Sequence, residues 1–309
     1  MKKITYIIAA FIIFSLVSCE GLFTTVREID IPQHEQKISI NSILRGDSIG
    51  IFISHSKTID DDTDYNPISA KVTVMENGKE LINFDYKNIN NYDLISMNKL
   101  PENIKEGAEY SLVVDSENFG IAKASDIAPN KANIGNLKFN KELVQGEYEE
   151  YNRFEFVIDD DKSENNFYIF KFRVVYEDPE KNRYSSIYAT TDDPHITSVY
   201  DRSNILDKRG YGSSLDLLSD KSFNGTKRKV VFKVNRPSYD YGNGDLKYKI
   251  FLDVETVSKT YFNFLIAQSQ AQDVGDNPFA EPVVVSGNID NGYGVFAAIF
   301  KSEFLIFEK

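Results

Sequence analysis

The sequence predicts a mainly β protein. An N-terminal Ig-like β-sandwich is followed by a second β-rich domain, sandwich or barrel-like, with one helix near the C-terminus. Three observations predict this. Tyr (18) and Phe (22) are abundant while Met (3) is scarce, a composition that suits pleated, half-buried strands. Apolar residues alternate with period 2 in segment after segment from Ile38 onward. Only 259–272 groups its apolar residues, Tyr261, Phe262, Leu265 and Ile266, at helical spacing.

The elements follow in order. Lys2 and Lys3 precede an uncharged run, ITYIIAAFIIFSLVS, over 4–18. A positive start and a short apolar stretch have the layout of a secretory signal. The run is shorter than the about 20 residues a membrane span needs. Its end, Leu16-Val17-Ser18-Cys19, resembles the bacterial lipobox, in which the cysteine is lipidated and cleavage falls just before it. Residues 1–18 are therefore expected to be a lipoprotein signal peptide, 19–36 a lipidated tether, and Cys19 the attachment point. Cys19 is the only cysteine, so the mature chain has no thiol for a disulfide, a nucleophile or a metal.

The sandwich is expected over 37–128. KISINSIL and IGIFISHS alternate, and AKVTVMENGKELINFDY carries Asn77-Gly78 between strand-like runs, a strong hairpin signal because both residues accept positive φ. AEYSLVVDS and GIAKASDIA continue the pattern, and IAPNKANIG marks a boundary. The second domain is expected over 129–309, with strands in RFEFVIDDD, NFYIFKFRVVYED, SSIYATT, KRKVVFKVN and LKYKIFLDVETVS. After the helix, PVVVSGNI and YGVFAAIFKSEFLIF read as two closing strands.

Charge limits the partners. The chain carries −12, and a leader holding Lys2 and Lys3 but no acid leaves −14 on the mature protein. Such a surface repels nucleic acid, whose affinity rests on phosphate neutralisation. Acyl chains, each buried CH2 contributing about 0.8 kcal/mol, would hold the protein to the bilayer. His34, His55 and His195 are scattered and make no metal motif; no nucleophile elbow, phosphate loop or dinucleotide fingerprint occurs. Asp60, Asp62 and Asp64 have the first spacings of a calcium loop, but Tyr65 stands where that loop needs glycine and Lys71 where it needs glutamate. Calcium is therefore a weak candidate, and no other cofactor is expected. Asp192 and Asp193 are the carboxylates a hydrolase reading would use.

Two further sets of residues are singled out. Tyrosine-rich loops offer Tyr184, Tyr188, Tyr239 and Tyr241 for stacking on a ligand or packing on a partner. The stretch 276–298 holds Asn277, Pro278, Phe279, Pro282, Asn288, Asn291, Gly292 and Gly294, which read as a corner packed on the core in preference to a ligand site.

The order SKTYFNF, NPFAEPV and GNIDNGYGVF resembles the Bacteroidota lipoprotein family of domain of unknown function 4249. Glu28-Ile29-Asp30-Ile31-Pro32, the strand pattern Gly107, Tyr110, Leu112, Val114, and SFNGTKRKVVF match it as well, so the resemblance covers essentially the whole mature chain. It implies a non-enzymatic outer-membrane lipoprotein, accessory to a TonB-dependent barrel in nutrient binding or uptake. It gives no catalytic residues. The expected location is lipid-anchored at the cell surface, with the periplasmic leaflet as alternative. Asp47-Ser48-Ile49 also resembles the phylum's O-glycosylation motif, at Ser48. The alternatives are a calcium-stabilised surface adhesin or scaffold and, behind it, a carboxylate-dependent hydrolase.

Overall fold

Alternating apolar residues build seventeen strands in the computed structural model, which describes residues 35–57, 68–88, 95–145, 150–162, 164–177, 183–201, 213–235, 247–274, 281 and 283–309. In chain order they are β1 (Ile38–Arg45), β2 (Ser48–His55), β3 (Ile68–Glu76), β4 (Lys79–Asn88), β5 (Ser96–Lys99), β6 (Glu109–Ser116), β7 (Gly120–Ile127), β8 (Ile134–Gln145) and β9 (Glu150–Asp159). Then come β10 (Phe167–Tyr176), β11 (Arg183–Ser186), β12 (Ala189–Thr190), β13 (Ile196–Asp201), β14 (Ser213–Ser219), β15 (Lys227–Asn235) and β16 (Tyr248–Val257). Helix α1 (Lys259–Val274) precedes the last strand, β17 (Gly292–Glu308). Residues Gln36–Lys309 form one compact unit.

Its spine is a nine-stranded sheet in the order β13-β14-β10-β16-β17-β1-β2-β5, with β11 paired to β10. Two four-stranded sheets, β4-β3-β6-β7 and β12-β15-β9-β8, complete two sandwiches with it. The first core is largely aliphatic: Ile40, Ile49 and Ile51 of the spine meet Val72, Val74, Leu112 and Val114. The second is aromatic: Phe154, Phe156 and Phe232 pack on Phe170 and Phe172. Each such side chain contributes roughly 1.5–3 kcal/mol by leaving water. Helix α1 lies on the spine's other face, where Tyr261, Phe262, Phe264 and Leu265 cover Val295, Ala297 and Ile299. Ser258 starts the helix, its hydroxyl accepting from the Tyr261 N–H at 3.3 Å.

Along the chain, β7 ends the first small sheet and β8 opens the second. One sheet nevertheless runs through both stretches, because β17 pairs with β1 in parallel over Gly292–Ile299 and with β16 antiparallel over Phe300–Glu308. Phe296 and Ala298, from the C-terminus, thus belong to the first core.

The helix and the Asn77-Gly78 hairpin stand as expected, with φ of 48° and 78° at the turn. The strand expected at PVVVSGNI does not form: among its described residues, 283–289 are irregular and Val284 is 81% exposed. A Cβ at Gly287 would fall 1.6 Å from the Gly294 carbonyl oxygen, so this segment crosses β17 too closely to run beside it as a ladder. Asn291 turns the chain at φ 60°, but Gly292 opens a strand whose partner is the distant β1, so no hairpin follows.

Candidate functional site

The outer face of the β12-β15-β9-β8 sheet is built by alternation. Phe154, Phe156, Val230, Phe232 and Val234 point into the core; their neighbours Tyr151, Arg153, Lys229, Val231 and Lys233 point outward and line a basin of about 550 Å³ with residues 191–195 and Arg228. The loop Thr191–His195 is pinned over this face. The Thr191 hydroxyl donates to the Val231 carbonyl at 2.7 Å and accepts from the Asp193 N–H at 3.2 Å. Asp193 in turn accepts from the His195 N–H at 3.0 Å and from Arg228 Nη2 at 2.7 and 2.6 Å.

The electrostatics are lopsided. Four cationic side chains, Arg153, Arg228, Lys229 and Lys233, line the basin against two carboxylates, Asp192 and Asp193. Beside it, Glu155 is shared by Lys229 at 2.6 Å, Arg153 at 3.6 Å and Lys138 at 3.8 Å; the Lys229 hydrogen bond holds its pKa down. Lys233 pairs with Asp192 at 2.6 Å and sits 5.6 Å from the centre of the Tyr151 ring. Arg228 lies over Phe223, and its Nε is buried with no hydrogen-bond partner. Burial acts to raise the Asp193 pKa, but the His195 N–H and Arg228 outweigh it and the carboxyl stays below its ordinary range. It is therefore ionised and engaged, which suits a binding surface better than a proton donor.

A second cavity, about 470 Å³, is lined by the acidic turn after β9. There Asp160 accepts from the Tyr168 hydroxyl at 2.7 Å and the Gly225 N–H at 2.8 Å, while Asp220 accepts from the Asn166 N–H at 2.7 Å. These bonds tie the start of β10 to the 3-10 turn Asp220–Ser222. Among the described residues no group of three His, Cys, Asp or Glu is placed to hold a metal.

The block before β17 is built from close approaches. Asn288 Nδ2 donates to the carbonyls of Phe296 and Ser125, both at 2.9 Å, and its Oδ1 accepts from the Phe296 N–H at 2.9 Å. Asp290 bridges to Lys123, and Asn291 Nδ2 donates to the Ile121 carbonyl at 3.1 Å. Cβ atoms at Gly292 and Gly294 would meet the carbonyl oxygens of Ile38 and Ile40 at 2.8 and 2.1 Å. GNIDNGYG is thus a stitch between β17, β1 and β7, placed where the sequence resemblance is most specific. The chain belongs to the family of the domain of unknown function DUF4249. The family model matches residues 24–303. No curated protein matches the chain.

Other residues singled out in this DUF4249 chain are dispersed. Tyr188 is 60% exposed beside the outer face of the basin's sheet. Tyr184 pairs with Val175 in the spine instead, so the two ends of YSSIY belong to different sheets. The Ser48 hydroxyl donates to the Arg45 carbonyl at 3.2 Å in the β1–β2 turn. Cys19, Asp60, Asp62, Asp64, Tyr239, Tyr241, Asn277, Pro278, Phe279 and Pro282 lie outside the described residues. The sequence reading passed over Tyr151, Arg153, Arg228, Lys229 and Lys233. Part of their signal lies in RKVVFKVN, whose outward Lys229 and Lys233 are basic in an acidic chain, but it shows only once β9 lies beside β15.

Proposed function

We propose that this DUF4249 protein is a non-enzymatic outer-membrane lipoprotein, held by acyl chains on Cys19 and serving as accessory to a TonB-dependent barrel in nutrient binding or uptake. The observation that carries the reading is the sequence Leu16-Val17-Ser18-Cys19 closing an uncharged run that follows Lys2 and Lys3. Two fused sandwiches with an open, charged basin support a binding role, since ligand sites favour concave surfaces with a few convergent polar groups. The barrel as partner follows from the family resemblance, and the acidic exterior argues against nucleic acid. The test is an affinity pull-down of the lipidated protein from its own outer membrane, with Cys19→Ala as control. A TonB-dependent barrel recovered in stoichiometric amount, and lost with Cys19→Ala, is the expected result. An acylated protein recovered alone overturns the accessory role, and an unacylated Cys19 overturns the anchor.

A further inference from the structure

The outer faces of the two small sheets differ in charge. On the first sandwich Lys71, Lys87 and Lys123 are exposed beside Asp85, Glu109 and Asp115, so the signs balance. On the second, among the described residues, Lys138, Arg153, Lys227, Lys229 and Lys233 face the carboxylates Glu155 and Asp159, and the exposed loop acid Asp192 answers only Lys233. A local excess of cations on a chain of −12 is not explained by solubility, which either sign serves. Its field favours an anion entering the basin.

The rest of the surface narrows the anion. The volume, about 550 Å³, lies within the usual range for small-ligand sites. Tyr151 forms one wall, with Lys233 toward its ring. Tyr151 pairs with Asn235 of β15, and on the other side of β15 the Asn235 N–H donates to the Tyr188 carbonyl at 2.9 Å. Ile187 and Ala189 turn into the core, so Tyr188 between them faces outward with Tyr151. Two strand spacings set these tyrosines roughly 10 Å apart, which suits alternate rings of an extended chain molecule.

We propose that this basin binds an acidic saccharide, a glycan whose rings stack on Tyr151 and Tyr188 and whose carboxylate or sulfate groups meet Arg153 and Lys233. The assignment rests on the reading of the protein as a ligand-binding accessory and names the ligand class. Neither residue carries the fold: Arg153 and Lys233 sit on the solvent side of their strands, and their replacement removes no core contact.

The experiment is calorimetric titration of the full lipidated chain in detergent, without any barrel. The three ligands are an oligogalacturonide, a heparin-derived oligosaccharide of similar length, and an uncharged cello-oligosaccharide. At least one acidic ligand is expected to bind, at least ten-fold more tightly than the uncharged one and more weakly as salt rises. The variant Arg153→Gln/Lys233→Gln is expected to lose ten-fold or more in affinity, whereas Lys71→Gln/Lys87→Gln on the first sandwich changes it less than two-fold. Binding of only the carboxylated or only the sulfated ligand identifies which group is read. The proposal is overturned if neither acidic ligand binds at about 1 mM, if the uncharged ligand binds as tightly, or if the basin variant binds as the parent does. A barrel that co-purifies with a protein lacking acidic-saccharide affinity would leave the accessory role standing and remove this one.

Discussion

The two halves of β17 solve one problem in different ways. A strand inside a sheet has two polar edges, and both need partners. From Phe300 to Glu308 one edge is closed by β16 through a continuous antiparallel ladder with one bulge near Ile250. From Gly292 to Ile299 one edge is closed by β1 in parallel, while alternate residues turn their polar groups the other way. There no strand arrives among the described residues, and side chains stand in. Asn288 offers Phe296 both a donor and an acceptor, as a peptide would, and Asp126 accepts from the Ala298 N–H at 3.0 Å. Backbone pairing can be made by almost any sequence. Side-chain substitutes depend on particular residues, and so does the close passage of the chain at Gly287, Gly292 and Gly294.

The first half therefore breaks most easily, and Gly294→Ala is the largest expected effect. Gly294 has φ +99°, and its Cβ would lie 2.1 Å from the Ile40 backbone oxygen. Neither strain nor clash can be relieved by a rotamer change, so the cost should exceed about 4 kcal/mol. Expression with loss of the urea unfolding transition would show it; a transition within experimental error of the parent would refute the stitched geometry. In the second half the largest effect is expected at Glu255, whose side chain is 1% exposed and pairs with Lys171 at 2.9 Å and Arg45 at 3.0 Å. Burial penalises this carboxylate, yet Arg45 and Lys171 outweigh that and hold its pKa down to about 2. Glu255→Gln leaves two partly buried cations without their counter-charge, at a cost of about 3–5 kcal/mol. Because the folded pKa is depressed, the contribution is present above the ordinary carboxylate range and is lost as pH falls toward 2. Urea midpoints between pH 7 and pH 3 should converge for parent and variant.

Asn288→Ala comes next. It leaves the N–H and carbonyl of fully buried Phe296 without that partner, and each unpaired group costs about 1–3 kcal/mol. Hydrogen exchange sharpens the comparison: the Phe296 amide should lose protection in the variant while amides of the Phe300–Glu308 half keep theirs. Uniform loss along the strand would mean that the halves are not separately held.

The same contrast explains what could be read from the sequence. GNIDNGYG stands out because side chains and glycines there do what a neighbouring strand does elsewhere. Period-2 alternation revealed most strands, and Asn77-Gly78 its hairpin, since these signals are local. Tyr261, Phe262 and Leu265 revealed the helix for the same reason. That β17 reaches β1 across some 250 positions was not legible, because register between distant strands leaves no local mark. PVVVSGNI misled because an apolar run says nothing about whether an edge is free to receive it. In the candidate site Tyr188 was found by composition, but the cations of β9 and β15 become a basin only when their strands are adjacent.

The smallest expected effect is also the most discriminating, since it has the opposite sign to that at Glu255. Asp126 closes the first half of β17 by accepting from the Ala298 N–H and from the hydroxyl of Ser258, the residue that caps α1. Burial raises its pKa from 3.8 to about 6, and these hydrogen bonds only partly oppose the rise. No cation compensates it as Arg45 and Lys171 compensate Glu255. The folded state therefore binds a proton more tightly than the unfolded chain, and stability falls as pH rises from about 4 to 6, by about 2–3 kcal/mol in total. Asp126→Asn keeps an oxygen to accept from Ala298 and removes the charge. The variant should match the parent near pH 4, exceed it above pH 6, and flatten the profile between, whereas the Glu255→Gln profile departs from the parent in the reverse direction. Thermal melts of the two variants across pH 3–8 would show both. A variant weaker than the parent at pH 7 would mean that Asp126 is stabilised as an anion after all, and that both halves of β17 are held by charge.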